Sequence, residues 1–448
     1  MWIERHSKKD EFLQIVKNLD RQVLIVRGAR QVGKTSFILK ALSELQDYPK
    51  IYFNFLYTEP IHLQGINYYG SHFFGKSPSG EEFIRNLERE IGSHNQKPWI
   101  VFIDEVDRFP KALEAIQTLA LFSDKIKCVL TGSNLENIPV ENAATGRKKY
   151  FDLYPISFEE FLASADNKCF KYYQEVEPSK QTDFYHTQLE TYFETYLRLG
   201  GLPRLLDIYL TSPEKKSEIS NLIKDLATTI EENVKTVLGE KFQLYEYEDV
   251  LRKLALLSMN TLKLTHLQVQ HTSRKEAVKI ISKTVGARVA HKIRLWEAES
   301  DLSKYILFDT GLANYLMNGS NLLDTSIPQP NKAILYETGI GNEIIRKLIT
   351  RDDLNYWKSG NRAEVEFFLR SPRPIAIDVK STTGSLKSLY SFALTEEDVG
   401  CLVKIQKSTL SFEKNHLARL AHSPSSKQVP LLTIPHYLTG RLFEFIRF

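Results

Sequence analysis

In "RQVLIVRGARQVGKTSFILKAL" an apolar run, Val23 to Val26, leads into Gly28-x-x-x-x-Gly33-Lys34-Thr35, and apolar residues at helical spacing follow. Strand, glycine loop and helix in this order form the Walker A arrangement. Glycines let backbone N–H groups close around phosphate oxygens, and the next helix turns its positive end towards them. Gly28, Ala29, Arg30, Gln31, Val32 and Gly33, with Ser36 just behind, are therefore the expected cradle for a nucleotide such as ATP. Lys34 is expected to reach the β- and γ-phosphates, and Thr35 to offer its hydroxyl to magnesium.

A second apolar run, "WIVFIDEVDRF", ends in Asp104-Glu105, the pattern of a buried strand whose last carboxylate holds the magnesium shell. Glu105 would then orient or deprotonate the attacking water. "KCVLTGSNL" ends in Thr131-Gly132-Ser133-Asn134. Either Asn134 senses the terminal phosphate, or the polar cluster caps the following helix, since Ser, Thr and Asn lead cap preferences.

A different chemistry is spelled by "VEFFLRSPRPIAIDVKS", Val365 to Ser381, where two apolar runs carry acidic groups and the second ends in Asp378-x-Lys380. On adjacent strands Glu366 and Asp378 could hold magnesium or manganese. Lys380, two residues beyond Asp378 and on the same face, could assist a water attacking a phosphodiester. The plain alternative is an ion pair. Glu364 shares a face with Glu366, so either could be the ligand. In the preceding helical stretch, "ILYETGIGNEIIRKLI", Glu337 and Glu343 point in directions about 120° apart, so one alone can face a site, and Glu337 is the candidate.

These groups need elements to position them. A chain of 448 residues suggests roughly three domains. Composition is that of an ordinary globular protein, 42% hydrophobic and 25% charged, and a net charge of +4 is too small to imply nucleic acid by itself. Cys128, Cys169 and Cys401 lie too far apart for a disulfide framework or a zinc site. The charged start, MWIERHSKKDEF, does not resemble a signal peptide, and no apolar run is long enough to span a bilayer, so a cytoplasmic location and no membrane partner are expected.

From Glu190 to Leu316 apolar residues recur at helical spacing. Leu262 to Leu295 reads as helix-turn-helix with a short wing. It holds Lys263, Arg274, Lys275, Lys279, Lys283, Arg288, Lys292 and Arg294 against a single acid, Glu276. That imbalance either contacts DNA phosphates or is the solvated face of a connector. Trp296 reads as a packing anchor, and Ser326 to Ala333, with two prolines, as a linker.

"GARQVGKT", "FIDEVDRFP", "LTGSN", Gly146-Arg147 and "LYPISFEEFL", followed by "LRLGGLPRLL", "YILFDTGLANYL", "LYETGIGNEII" and "IAIDVKS", resemble a prokaryotic AAA+ ATPase family over nearly the whole chain. Members of that family join a P-loop ATPase to a C-terminal domain of unknown function. The resemblance implies an arginine finger or sensor at Arg147, although the basic run Arg147-Lys148-Lys149 also fits a solvated turn. It implies a lid motif at Gly200-Gly201-Leu202-Pro203 with Arg198 and Arg204 as sensors; paired glycines before a proline are also a plain helix stop. Helix, strand, strand, strand with Asp-x-Lys closing the third resembles the PD-(D/E)XK nuclease plan. Relatives there commonly have Asp where this chain has Glu366 and Glu where it has Asp378. Such a swap leaves open either an active site or a fold that docks without cutting.

The expected fold is thus α/β: a P-loop AAA+ ATPase domain at 1–160, a helical lid at 161–245, a winged-helix segment at 246–325 and a nuclease-like domain at 326–448. The expected function is ATP hydrolysis coupled to DNA binding, with metal-dependent cleavage by the last domain and a homo-oligomer as one possible assembly. The alternatives are a nucleotide-dependent switch that docks partners, and a motor acting on protein.

Overall fold

The computed structural model describes residues 2–54, 67–69, 85, 87–89, 91, 97–108, 124–135, 148–177, 183–239, 242–263, 267–296, 302–360, 363–370, 373–381, 384–407, 410–421 and 424–446. The chain divides into two compact units. The smaller comprises Arg5–Tyr154 with Gly286–Arg288; the larger comprises Met1–Glu4, Pro155–Val285 and Val289–Phe448.

In the smaller unit, helix α1 (His6–Lys17) leads to β1 (Val23–Arg27), α2 (Lys34–Ser43), β2 (Lys50–Asn54), β3 (Asn67–Tyr69), β4 (Trp99–Asp104), β5 (Ile126–Thr131) and β6 (Lys148–Asp152). The strands form a parallel sheet in the order β3-β2-β4-β5-β1-β6. Unbroken apolar runs such as "VLIV" and "IVFI" belong in a parallel sheet covered on both faces, and both are buried. Phe12 of α1, Phe37 of α2 and Phe151 of β6 pack ring to ring at 5.5 to 5.8 Å, fixing the helix that follows the glycine loop. At the edge strand, Asp152 takes Arg27 Nε at 2.7 Å and Arg288 Nη1 at 3.2 Å.

The larger unit opens with helices α3 (Phe158–Ala165), α4 (Asn167–Glu175), α5 (Asp183–Leu199), α6 (Pro203–Thr211), α7 (Ile219–Leu238), α8 (Leu244–Leu256) and α9 (Arg274–Gly286). Ser157 and Glu160 close a capping box on α3, and Phe158 meets Tyr173 of α4 and Phe193 and Tyr196 of α5 edge-on. The turn after α5 is built as a helix stop. Gly200 lies at φ +74, where a side chain would be strained, Pro203 opens α6, and Gly201 N donates to Asp309 Oδ2 at 2.7 Å. Asp309 also caps α10 (Thr310–Asn318) through Leu312 N, tying "LGGLPR" to "FDTGLANYL".

Next come β7 (Ala290–Leu295), β8 (Ser303–Leu307), α11 (Gln329–Ile345), β9 (Asn355–Ser359), β10 (Ala363–Leu369), β11 (Ile375–Val379), α12 (Lys387–Thr395), β12 (Cys401–Ile405), β13 (Ser411–Arg419) and β14 (Ser426–Ile434). All the strands lie in one sheet, ordered β13-β14-β12-β11-β10-β9-β7-β8. The hairpin β7–β8 therefore does not stand apart as a wing. Ile293, Ile306 and Leu307 are buried, and Arg294 and Leu295 pair in parallel with Asn355 and Tyr356, so the boundary expected at residue 326 falls between strands of one sheet. The expected linker is also shorter. Pro330 sits in the first turn of α11, where a fixed φ suits helix initiation, and the helix begins at Gln329. Leu389, Phe392 and Ala393 of α12 pack on Val365, Phe368 and Ala376, one face of this sheet.

Glu231 gives the helical layer a measurable signature. It is buried on α7 beside Glu248, and burial first, then that like charge, raises its carboxyl to about 7. An acid with a raised folded-state pKa binds its proton more tightly folded than unfolded. Its contribution is therefore full below the unfolded value and is lost as pH rises towards 7. Glu231→Gln should raise stability at pH 8 by up to roughly 3 kcal/mol, and the gain should vanish below about pH 4.5. Chemical denaturation of both proteins across that range is the check; an equal difference at both pH values would sink it.

Candidate nucleotide site and acidic strand site

The glycine loop bridges the end of β1 and the start of α2. A Cβ at Gly28 would lie 2.3 Å from the Leu153 carbonyl oxygen, so only glycine fits, and Gly33 turns into the helix at φ +83. Gln31 also has a positive φ, +71. Lys34, 8% exposed, folds back over the loop and donates to the carbonyls of Gly28 at 2.9 Å and Ala29 at 3.0 Å. Burial lowers its pKa, opposed by Glu105, Asp104 and Asp107. Arg30 is within electrostatic reach of both Lys34 and Glu105, whereas Ser36 faces outwards and Val32 is buried.

The tip of β4 meets α2 directly: Thr35 Oγ1 donates to Asp104 Oδ2 at 2.7 Å. Asp104 is 2% exposed, and burial raises its pKa against the hydrogen bond from Thr35. The same oxygen accepts from Tyr52 at 3.1 Å and Asn54 at 3.2 Å, both on β2. Sequence reasoning did not find these two. The available signal was two polar groups alternating through "IYFNF", in the strand that pairs with β4 so that Asn54 opposes Asp104. Glu105 adopts a positive φ of 52; its Oε2 is buried with no hydrogen-bond partner among the described residues. Burial, then Asp107 and Asp104, raises its pKa, which makes it a stronger base than an ordinary glutamate.

On β5, which lies between β1 and β4, Thr131 Oγ1 donates to the Val26 carbonyl at 2.9 Å, a strand-to-strand tie. Asn134 is buried, and its backbone N donates to Asp107 Oδ2 at 3.2 Å. Arg147 and Gly146 lie outside the described residues. A Thr35–Asp104 pair at hydrogen-bond distance, an unpartnered buried Glu105 oxygen and a loop closed against side chains at Gly28 are a donor set that fits a magnesium nucleotide.

The second site lies in the larger unit. Lys380, just past β11, gives Nζ to Asp378 Oδ1 at 2.9 Å and to Glu366 Oε1 at 3.3 Å. Asp378 is 1% exposed; Asp378 Oδ2 and Glu366 Oε2 are both buried without a hydrogen-bond donor among the described residues. Burial, and then contact with Asp378, puts the Glu366 pKa well above its usual range. Glu337 of α11 is raised to about 7, by burial against the pull of Lys304 and Lys380. Glu364 turns to other partners, Lys304 at 2.5 Å and Lys358 at 3.4 Å, which leaves Glu366 as the strand carboxylate beside Asp378. Glu343 points elsewhere: it pairs with Arg346 and accepts from Phe158 N at 3.1 Å.

Among the described residues, no cluster of three or more His, Cys, Asp or Glu stands ready to hold a metal ion. The three ligand candidates Glu337, Glu366 and Asp378 thus present a pair in contact plus a neighbour, with the ammonium of Lys380 as the cation between the pair. Two buried carboxylate oxygens without donors still fit magnesium, which is commonly held by one or two carboxylates and completed by water and phosphate.

The basic stretch is thinner than its count suggests. Arg288 is buried on Asp152, and Lys279 lies over the Phe242 ring at 4.5 Å. Lys263, Arg274, Lys275, Arg294 and Lys279 itself are exposed. Trp296 packs on Phe368 at 5.0 Å, with Arg370 over its ring, as an anchor does. Arg204 is exposed, and Arg198 belongs to a cavity considered below. Among the described residues no helix is long and apolar enough to cross a membrane.

Comparison with known proteins adds one firm point. Residues 20–162 match the family model of an AAA domain, the segment that carries the glycine loop, Asp104 and Glu105. This part of the chain is thus similar to an AAA domain, and it holds the P-loop. Among solved structures, C. elegans PCH-2 is 15% identical, with a TM-score of 0.30, over 48% of this chain and 62% of that one, less than two thirds of its length. Drosophila ORC bound to DNA is 12% identical, with a TM-score of 0.26, over 70% of this chain and 86% of that one. Likenesses this slight carry nothing further. No curated protein matches.

Proposed function

We propose that this chain binds ATP with magnesium and hydrolyses it, and that the cycle is coupled to DNA engagement by the larger unit. One arrangement carries the first part: Lys34, Thr35, Asp104 and Glu105 meet at the ends of β1, α2 and β4, with Thr35 bonded to Asp104 at 2.7 Å. Magnesium, when bound, supplies charge neutralisation across the terminal phosphates. Lys34 exchanges its two loop carbonyls for phosphate oxygens. Tyr52 and Asn54 hold the Asp104 carboxylate in place. Glu105 accepts a proton from the attacking water, or orients it, with an oxygen that has no other partner among the described residues. Arg147 is the proposed finger, acting within one subunit or on a neighbour.

The DNA part rests on Glu366, Asp378 and Lys380, an acidic pair and a lysine at the end of buried strands, the group types that cut a phosphodiester with a divalent metal. A second reading has its own support. Lys380 already bridges the pair and no three-carboxylate cluster is formed among the described residues, which suits a nucleotide-dependent switch whose larger unit docks partners without cutting.

Both readings answer to one experiment. ATP turnover and DNA integrity are followed with linear, circular and branched DNA, with magnesium or manganese, and with ATP, a non-hydrolysable analogue or neither. Turnover that DNA raises several-fold, with metal-dependent cleavage, is the expected result. Turnover indifferent to DNA and no cleavage would select the switch, and no turnover under any condition would remove the ATPase assignment.

A further inference from the structure

Between α5 and α11, and flanked by the segment that joins α10 to α11, the larger unit holds a half-open cavity of about 80 Å³. Its apolar wall is Leu197, Leu335 and Ile327, and its charged groups are Glu194, Arg198 and Lys332. Glu194 is already matched: it accepts from Lys332 Nζ at 3.1 Å and from the Tyr336 hydroxyl at 3.1 Å. Arg198 is not. Its Nη2 donates to Thr195 Oγ1 at 3.3 Å, and its Nε is buried with no acceptor among the described residues. Asp324, the carboxylate on the joining segment within electrostatic reach, is exposed and accepts from Ser326 N at 2.8 Å and Ser326 Oγ at 2.7 Å, so its charge reaches the guanidinium only through solvent screening.

A buried guanidinium donor without an acceptor is costly, and a planar fork with apolar walls on one side selects the ligand that would relieve it. Among the lining residues two cations, Arg198 and Lys332, face one acid, Glu194, so the ligand carries a negative charge, and a carboxylate suits the fork best because it can accept from Nε and Nη together. The apolar wall asks for a hydrocarbon body. At roughly 10–15 Å³ of such space per water, the cavity holds about five to eight water-sized groups, room for a ligand of about that many heavy atoms.

We propose that this cavity binds a compact aliphatic monocarboxylate, anchored on Arg198 with its hydrocarbon part against Leu197, Leu335 and Ile327. The site is separate from the nucleotide chemistry and from the acidic strand pair, and stands whether or not either of those readings does. It also gives Arg198 a role other than that of nucleotide sensor.

The test titrates the full-length protein, without ATP, with sodium isobutyrate, with the neutral isostere isobutyramide and with inorganic phosphate, using calorimetry and ligand-observed NMR. Isobutyrate should bind, with isobutyramide and phosphate each weaker by about tenfold or more. Arg198→Gln should weaken isobutyrate by a similar factor. Ile327→Phe, which fills the cavity from its more exposed side and leaves the guanidinium intact, should abolish binding. If Arg198→Gln fails to fold, Ile327→Phe decides alone. No isobutyrate binding at tens of millimolar, equal binding of isobutyramide or phosphate, or undiminished binding by a folded Ile327→Phe would each overturn the proposal.

Discussion

Lys34→Ala should bind magnesium ATP at least about a hundredfold more weakly than the wild type, because charge-assisted contacts to phosphate are among the strongest available to a side chain. The local electrostatics enlarge the effect. Lys34 faces Glu105, Asp104 and Asp107, and its ammonium is the charge that offsets them. Without it, three carboxylates would confront an incoming polyanion. Glu105→Gln should behave in the opposite way. The Thr35–Asp104 bond and the glycine loop survive, so ATP is retained, while turnover falls by roughly a hundred- to a thousandfold for want of a base. The raised pKa of Glu105 adds a pH signature. Because the ionised form is the base, wild-type kcat/KM, which reports the free enzyme, should rise with pH through a value above the ordinary glutamate range, and the residual rate of Glu105→Gln should not follow that curve. Calorimetric ATP binding and steady-state turnover measure both variants. Normal turnover by Glu105→Gln would remove its catalytic assignment, and normal ATP affinity in Lys34→Ala would remove the phosphate-binding one.

How far the sequence disclosed this arrangement depends on how local each feature is. The glycine loop is read within eight residues because strand, turn and helix are consecutive, and the structure sets them in that order at the ends of β1 and α2. Asp104-Glu105 closes β4 as the apolar run suggested. Tyr52 and Asn54 were not legible, since their role depends on β2 lying beside β4 in a register that puts Asn54 opposite Asp104. Nothing local fixes that register. The choice between Glu364 and Glu366 was also closed to sequence reasoning. It turns on Lys304, a residue of β8 that reaches Glu364 because the hairpin β7–β8 joins the same sheet. Helix-then-hairpin patterning could not show which sheet the hairpin would extend, and so the segment around it read as a free wing. Arg198 is similar: "LRLGGLPRLL" announced a turn, while the cavity that its guanidinium lines is completed by α11, more than a hundred residues later.

Asp378→Ala and Lys380→Ala should part company, and the way they do so decides what the strand trio is. Metal-free, Lys380 is the cation between two carboxylates, one of them 1% exposed. Removing it leaves the pair uncompensated in a buried setting, so Lys380→Ala should cost about 3 kcal/mol of stability without divalent ion. Adding Asp378→Asn to that variant should recover part of the loss, because it removes a buried acid that the missing ammonium no longer offsets. Those effects follow from the ion pair alone. A metal site demands more: magnesium or manganese should raise the wild-type melting temperature by binding the folded state in preference to the unfolded one. Lys380→Ala should keep that stabilisation, or increase it, since the competing ammonium is absent, yet cut DNA slower by orders of magnitude. Asp378→Ala should lose both stabilisation and cleavage, because it removes one of the two carboxylates of the pair and leaves Glu366 alone beside Lys380. Differential scanning calorimetry with and without divalent ion, alongside the cleavage assay, separates the cases. If neither ion shifts the wild-type transition, with or without DNA, the trio is a buried salt bridge closing a strand, and the larger unit acts by docking alone.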